Sequence, residues 1–238
     1  MARGQETKIT AFIQTLEVEF ERKANAKIAS EQRTYLRSRF TCYGLKTVER
    51  RAIQEPFLMK EFLPTKDEMT EIVKILWQKP PREYHYFSQE LACKYVKQLE
   101  KRDITLFELM VTHQSWWDTV DFIANKLMGA YFETYPEQRD QYIEKWLKSK
   151  NIWLQRSALL FQLRYKAHLD TALLSFVINS LLHSKEFFIN KAIGWILREY
   201  SRTDPKWVID FVNNTALAPL SKREALRLIH QKTGTLHS

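Results

Sequence analysis

The sequence predicts an all-α protein: an α-solenoid of tandem HEAT-like helix pairs that form a curved, concave face. Only five glycines occur in 238 residues, and the alternation of apolar and polar residues that marks strands is hard to find. The second helices of plausible pairs begin 33 to 36 residues apart, near Thr47, Arg82, Ser115, Asn151, Lys185 and Ser221. Such a period is typical of α-solenoids, and the absence of the TPR tryptophan–glycine pattern favours irregular HEAT-like pairs.

Signals for helix starts recur along the chain. Four segments combine an N-cap residue with an acid at the third helical position: TKDE at Thr65, TLFE at Thr105, SWWD at Ser115 and SKRE at Ser221. Asp204 and Pro205 add an N-cap followed by proline in the first turn. We therefore expect about a dozen helices in a single domain, residues 1–238, with the last few residues as a flexible tail.

The charge and composition limit the function classes. The net charge is +9, from 37 Lys and Arg against 28 Asp and Glu, which suggests nucleic acid or an anionic membrane as partner without choosing between them. No window approaches 18 apolar residues and the N-terminus lacks a secretory signal. Two cysteines without disulfide or CxxC spacing fit a reducing cytoplasm, and the histidines lack ligand spacing, so no metal or organic cofactor is expected.

The segment SWWDTVD, residues 115–121, places two tryptophans beside two carboxylates. Trp117 and Asp121 are four residues apart and share one helix face, at the edge of the apolar stripe. Asp118 lies further round and is expected to cap the helix start. At 100° per residue the stripe predicted to lie in the core is Trp116, Val120, Ile123, Ala124 and Leu127.

A second tryptophan lies on a basic face in the segment KEFFINKAIGWILREY, residues 185–200. Trp195 falls nearly opposite the core stripe, beside Lys191 and Arg198. A lone tryptophan there is best interpreted as packing on the next repeat, but one between basic residues fits a nucleic-acid surface better. The stripe predicted to lie in the core is Ile189, Ile193, Ile196, Leu197 and Tyr200.

Arg156 lies in NIWLQRSALLFQL, residues 151–163, a helix that is apolar nearly all round and so is expected to be central. A charged residue there needs a partner. Three partners are open: a structural carboxylate, Asp121 one repeat earlier, or a phosphate of a ligand.

Further basic residues lie at the starts of the inner helices, and basic residues interleaved with tryptophans suit a phosphate backbone. We interpret charge runs on outer helices, such as EQRDQYIEKWLKS, as solvated faces. The further inner-helix residues are Lys46, Thr47, Arg50, Arg51, Lys222 and Arg223.

Over nearly its whole length the sequence resembles the AlkD family of bacterial DNA glycosylases, which remove alkylated purines. The most specific stretches are GLKTVERR (44–51), SWWDTVD (115–121), NIWLQRSALLFQL (151–163), SKEFFINKAIGWILREY (184–200) and LAPLSKREA (217–225). The resemblance implies a single stack of HEAT-like pairs with duplex DNA in the concave groove. We expect a monomer that is located in the cytoplasm or nucleoid.

The resemblance also implies site residues. The chain departs from the family pattern at Lys46, where family members can carry an uncharged polar residue. The family's active-site set maps onto Trp117, Asp121, Arg156 and Trp195, and the implied DNA-backbone contacts are Tyr35, Lys46, Thr47, Arg51 and Arg198. Lys191 and Arg223 are added as DNA contacts because they belong to the basic residues interleaved with tryptophans.

The resemblance therefore implies a glycosylase, which is expected to work without a cofactor. A cationic N3- or N7-alkylated purine is already a good leaving group, so Asp121 is expected to stabilise the positive charge that develops on the deoxyribose, and to position or deprotonate the attacking water. The resemblance implies that the lesion stays stacked.

The alternative is a non-catalytic HEAT scaffold that binds DNA or protein. Another hydrolase class is disfavoured, because HExxH, GxSxG, P-loop and deaminase signatures are absent.

Overall fold

The computed structural model describes the backbone of residues 2–234 and the side chains of residues 4–231. Within these residues the chain forms thirteen helices and no strand, apart from one isolated bridge between Thr41 and Pro81. The predicted all-α class is therefore confirmed. The predicted C-terminal tail lies outside the described residues.

The helices are α1 (Ala2–Arg22), α2 (Ala26–Tyr35), α3 (Thr47–Gln54), α4 (Lys66–Gln78), α5 (Arg82–Cys93), α6 (Asp103–Thr112), α7 (117–134), α8 (Arg139–Lys148), α9 (Ile152–Leu160), α10 (Thr171–Ser180), α11 (Phe187–Tyr200), α12 (Pro205–Asn214) and α13 (Pro219–Gly234). Helix α7 is continuous but has three parts: α-helical Trp117–Phe122, π-helical Ile123–Met128 and α-helical Gly129–Thr134. Short 3₁₀ turns occur at Pro56–Leu58, Lys60–Phe62, Val96–Gln98, Pro136–Gln138 and Lys166–His168.

The predicted repeat spacing is present in the helix starts. Helices α3, α5, α7, α9 and α11 begin at positions 47, 82, 117, 152 and 187, each 35 residues after the one before. Helix α13 follows at position 219. A regular succession of helix pairs at this period is what an α-solenoid requires, so the predicted class is consistent with the structure.

The predicted N-caps are right at some helices and wrong at others. Thr65 caps α4 by accepting the Glu68 N–H, and Asp204 caps α12 ahead of Pro205. Thr105 and Ser221 instead lie inside α6 and α13. The N-cap residue of α7 is Trp116 rather than Ser115 or Asp118, with no side-chain cap bond; the Ser115 hydroxyl donates to the Val111 carbonyl.

The helices divide into two compact units, residues 1–100 (the N-terminal unit) and residues 101–238 (the C-terminal unit). In the N-terminal unit α1 packs on α3 and α4, and α4 packs on α5. Burial of apolar side chains at these seams is the main favourable contribution to folding. The core residues here include Leu16, Phe20, Ile72, Leu76, Phe87 and Leu91.

In the C-terminal unit α9 is central, as its apolar sequence predicts, and contacts α6, α7, α8 and α11. Helix α11 in turn packs along α13. The two apolar stripes predicted for α7 and α11, from Trp116 to Leu127 and from Ile189 to Tyr200, are buried at every position. Among the helices described, none is long and apolar enough to cross a membrane.

Candidate active site

The two adjacent tryptophans at the start of α7 differ in burial, as the helical periodicity predicts. Trp116 is buried against the rings of Trp153 and Phe188, at centroid distances of 5.7 and 5.1 Å. Trp117 and Asp121 are only partly buried. The helix therefore presents an indole and a carboxylate on one side while its apolar stripe anchors the other.

The π-helical segment of α7, which begins two residues after Asp121, was not predicted from the sequence. The Gly129 N–H donates to the Ala124 carbonyl, five residues back, and the Asn125 side-chain amide donates to the Asp121 carbonyl. Segments of this kind occur mostly as single-turn insertions in α-helices and are frequent at functional sites. Gly129, which follows the segment, allows a close approach to Phe161, because a Cβ there would lie 2.7 Å from the Phe161 carbonyl oxygen.

Asp121 and Arg156 form a bidentate ion pair. The Arg156 Nε lies 2.7 Å from Oδ1 of Asp121, and Nη2 lies 2.8 Å from Oδ2. The side chains are 13% and 4% exposed, respectively. Of the three partners open for Arg156 from the sequence, the structure has Asp121, one repeat earlier.

Burial dominates the electrostatics of Asp121. Desolvation raises the pKa of its carboxyl group above the usual value, even though hydrogen bonds and charge from Arg156 act to lower it. The nearby Asp118 carboxylate also raises the pKa of Asp121. Asp121 thus lies in an environment that disfavours its negative charge, beside one fixed cation.

Arg156 also connects α7 to α11. Its Nη1 donates to the Phe188 backbone carbonyl in the first turn of α11, and its guanidinium carbon lies 6.0 Å from the Phe188 ring centroid. Trp153 stacks at a tilt on that ring, 5.1 Å between centroids. The Arg156 side chain of the ion pair is therefore fixed by the Phe188 backbone carbonyl and lies close to the Phe188 ring.

Trp195 is partly buried on α11, in line with Lys191 and Arg198. Both basic side chains bind one carboxylate, that of Glu224 in α13. These contacts lower the pKa of the Glu224 carboxyl group, mainly through the hydrogen bond from Lys191. Glu224 is not among the site residues predicted from the sequence.

In the N-terminal unit Tyr35, Lys46 and Thr47 are exposed, as contacts to a polyanion require. The Gln32 amide donates to the Leu45 carbonyl at 2.9 Å and fastens the start of α3 to α2. Gly44, at φ +85°, allows this approach, since a Cβ there would lie 2.1 Å from the Asn25 carbonyl oxygen.

Arg50 and Arg51 differ although they are neighbours in the sequence. The Arg51 side chain is 61% exposed and reaches Glu90 Oε1 at 3.2 Å. Arg50 is buried and binds Glu90 and Gln54, so its predicted place on a phosphate-facing surface is wrong. Glu90 is likewise not among the residues predicted from the sequence.

The structure thus brings some of the predicted residues together. Asp121 and Arg156 are in direct contact, with Trp117 one turn before Asp121. Lys191 and Arg198 meet at Glu224, and Arg223 is exposed one residue before it. Among the described residues no cluster of three or more His, Cys, Asp or Glu side chains could hold a metal ion.

The chain is similar in sequence and in fold to known proteins. A family model described as DNA alkylation repair enzyme matches residues 16–229. A solved structure from Enterococcus faecalis, described as a predicted DNA alkylation repair enzyme, is 30% identical in sequence with a TM-score of 0.80, over 85% of this chain and 95% of that chain. A search of curated proteins gave no match.

Proposed function

Because the chain belongs to the DNA alkylation repair enzyme family, we propose that it is a DNA glycosylase that hydrolyses the N-glycosidic bond of cationic N3- or N7-alkylated purines in duplex DNA. The family membership agrees with the AlkD-type resemblance of the sequence. The observation that carries the proposal is Asp121, a largely desolvated carboxylate fixed by two hydrogen bonds from Arg156.

The proposed chemistry needs little acid catalysis. Alkylation at N3 or N7 makes the purine a cation, so the base leaves with its electron pair as a neutral molecule. Positive charge then develops on the deoxyribose, as in other glycoside hydrolyses. A carboxylate already fixed in a dry site stabilises that charge without reorganising.

Asp121 is the catalytic residue of this proposal. Among the described side chains Arg156 donates one hydrogen bond to each carboxylate oxygen, and the remaining lone pairs are proposed to face the sugar cation or the attacking water. The water adds to the anomeric carbon, and its proton passes to Asp121 or to solvent. The raised pKa of Asp121 suits a group that accepts a proton during the reaction.

Arg156 orients the carboxylate. Its guanidinium has five N–H donors, and its contacts to described residues use three: two to Asp121 and one to the Phe188 carbonyl. Two remain for a phosphate oxygen of the substrate. Both roles suggested by the sequence, orienting the carboxylate and holding a phosphate, are therefore compatible with one side chain.

Trp117 and Trp195 are proposed to hold the sugar between aromatic faces. The quadrupole of each ring favours a cation by about 0.5–2 kcal/mol. Indoles also exclude water, which strengthens the field of the Asp121 carboxylate. Contact from the backbone side, with the lesion left stacked rather than flipped into a pocket, follows the family resemblance.

The proposed partner is duplex DNA, bound by a monomer consisting of one HEAT-like domain in the cytoplasm, without a metal or organic cofactor. Basic and polar side chains supply the sequence-independent phosphate contacts. In the N-terminal unit these are Tyr35, Lys46, Thr47 and Arg51; in the C-terminal unit they are Lys191, Arg198 and Arg223.

The test is base release from duplex DNA containing 7-methylguanine, with the product identified by mass. We expect release by the wild type and a loss of about 100-fold or more in single turnover for Asp121→Asn. Asp118→Asn is the matched control: it removes a neighbouring carboxylate of the same helix and should keep most of the rate. Equal rates for wild type and Asp121→Asn would refute the role of Asp121. Tight binding without any release would instead favour the non-catalytic scaffold.

A further inference from the structure

Three side chains of α11 share one face at helical spacing: Lys191, Trp195 and Arg198. The two cations lie on either side of the tryptophan. A single carboxylate from α13 reaches both of them. Lys191 Nζ lies 2.7 Å from Oε1 of Glu224, and Arg198 Nη1 binds Oε2.

The approach of α13 to α11 is built into the backbone. Gly194 precedes Trp195, and a Cβ at Gly194 would lie 2.5 Å from the Glu224 Cβ and 2.9 Å from the Ser221 carbonyl oxygen. Only glycine therefore allows Glu224 to lie this deep. The Ser221 hydroxyl also joins α13 to α11 by donating a hydrogen bond to the Asn190 carbonyl at 2.8 Å.

The cluster stays cationic despite its carboxylate. Arg227 joins it, with Nη1 3.7 Å from Glu224 Oε2, so three basic side chains surround one acid. The Glu224 side chain is 8% exposed and that of Arg198 is 16% exposed, whereas Lys191 is 39% and Arg227 is 53% exposed. The acid lies beneath, Arg198 is largely buried beside it, and Lys191 and Arg227 reach the surface, so the cluster presents positive charge in fixed positions.

We propose that Glu224 is a positioning residue for DNA binding: it holds Lys191 and Arg198 on either side of Trp195 as a two-cation clamp for the DNA backbone. The inference rests on the proposed function in that DNA is the ligand. Long basic side chains lose rotamer freedom when they bind a phosphate, and a buried carboxylate that fixes them beforehand reduces that loss on binding.

A sign test separates positioning from simple charge. Glu224→Gln raises the net charge by one, so charge alone predicts tighter binding to DNA. Positioning predicts weaker binding, with an affinity for an unmodified duplex about tenfold lower and a log–log salt slope less steep by about 0.9 for each phosphate that the variant no longer binds. Equal or tighter binding by Glu224→Gln would overturn the proposal.

The matched control is Glu199→Gln, on α11, the helix that carries Lys191 and Arg198. Glu199 binds Arg202 at 3.3 Å on the surface, so its loss adds the same charge without touching the cluster. We expect this variant to bind as tightly as the wild type or slightly tighter. Weakening equal to that of Glu224→Gln would show that the effect does not depend on the contacts of Glu224 and would overturn the clamp.

A double-mutant cycle distinguishes the positioning role of Glu224 from a general loss of stability in Glu224→Gln. If Glu224 acts through Lys191, the affinity change on Glu224→Gln should shrink in a Lys191→Gln background, because the two substitutions then remove the same interaction. A purely structural effect of Glu224 would persist in full in that background and would overturn the proposal.

These measurements use unmodified DNA and do not depend on base release. If the wild type releases 7-methylguanine but Glu224→Gln binds at least as tightly, only the clamp is wrong. If the wild type binds DNA and Glu224→Gln weakens that binding, the clamp holds even where no base is released, and only the glycosylase proposal fails.

Discussion

Asp121 with Arg156 and Glu90 with Arg50 are two arginine–carboxylate pairs of nearly equal burial, one in each unit. The acids are 13% and 14% exposed and the arginines 4% and 5%. Yet the pKa is raised at Asp121 and lowered at Glu90. Burial alone cannot explain this difference, because it raises both values.

The difference lies in the number and sign of the neighbouring groups. Glu90 is bound by Arg50, Arg51 and Gln54, whose donors together outweigh the burial. Among the described residues Asp121 has a single cation beside it, and the Asp118 carboxylate works against that cation. A carboxylate such as Glu90, which several donors bind, is suited to stabilising the fold. A buried carboxylate such as Asp121, whose charge is offset by one arginine, is suited to catalysis.

The largest expected effect is the loss of the cation beside Asp121. Arg156→Met leaves a buried carboxylate without its arginine and should lower the free energy of unfolding by about 3–5 kcal/mol. Urea unfolding at pH 7 measures this. Arg50→Met is the comparison variant and should cost less, since Glu90 keeps Arg51 and Gln54. Similar losses for the two arginines would contradict the distinction drawn between the pairs.

Neutralising Glu90 should affect stability and leave the chemistry alone. Glu90→Gln leaves the buried Arg50 guanidinium without its carboxylate and should cost about 1–3 kcal/mol in the free energy of unfolding. Base release per folded molecule should match the wild type. A loss of rate comparable to that of Asp121→Asn would mean that Glu90 contributes to the reaction.

The two carboxylates should also give stability profiles of opposite slope with pH. A raised pKa in the folded state means that the Asp121 contribution is present below the unfolded value of about 3.9 and is lost as the pH rises through the folded pKa. A lowered pKa means that the Glu90 contribution is present above about 4.3 and is lost as the pH falls through the folded pKa.

This contrast is measured by urea unfolding between pH 3.5 and 6, a range chosen to span the ordinary carboxyl values of about 3.9 and 4.3. The stability difference between wild type and Asp121→Asn should shrink as the pH rises, and that between wild type and Glu90→Gln should grow. Parallel profiles would show that the two environments do not differ as the contacts indicate.

Much of the fold follows from the sequence because local physics determines it. The 100° periodicity correctly assigned Trp116 to the core and Trp117 to the partly buried face. The repeat spacing gave helix starts within two residues at Thr47, Arg82, Asn151 and Lys185. Cap motifs were less reliable, because they depend on local sequence only: the Ser221 hydroxyl, predicted to cap a helix, binds Asn190 on another helix instead.

The ion pairs between helices were harder to predict. Asp121 and Arg156 are 35 residues apart, and Lys191 and Glu224 are 33 apart, so each pair joins neighbouring repeats. Spacing identifies such candidates, but which opposite charges meet depends on how the helices approach. Gly194 permits the close approach of α13 to α11. This role of Gly194 can be recognised only when the position of α13 is known. The π-helical turn after Asp121 likewise has no local pattern.

The smallest expected effect concerns Arg51, the exposed cation of the Glu90 pair. If it contacts a DNA phosphate, Arg51→Ala should make the dependence of log affinity on log salt less steep by about 0.9. The loss of affinity should be modest, since the side chain must leave Glu90 Oε1, at 3.2 Å, to reach a phosphate. Arg22→Ala is the matched control: Arg22 is 58% exposed and binds Glu19 on α1, so its loss removes the same charge. Duplex binding across a salt series should then separate the two variants by slope, and identical slopes would exclude a phosphate contact at Arg51.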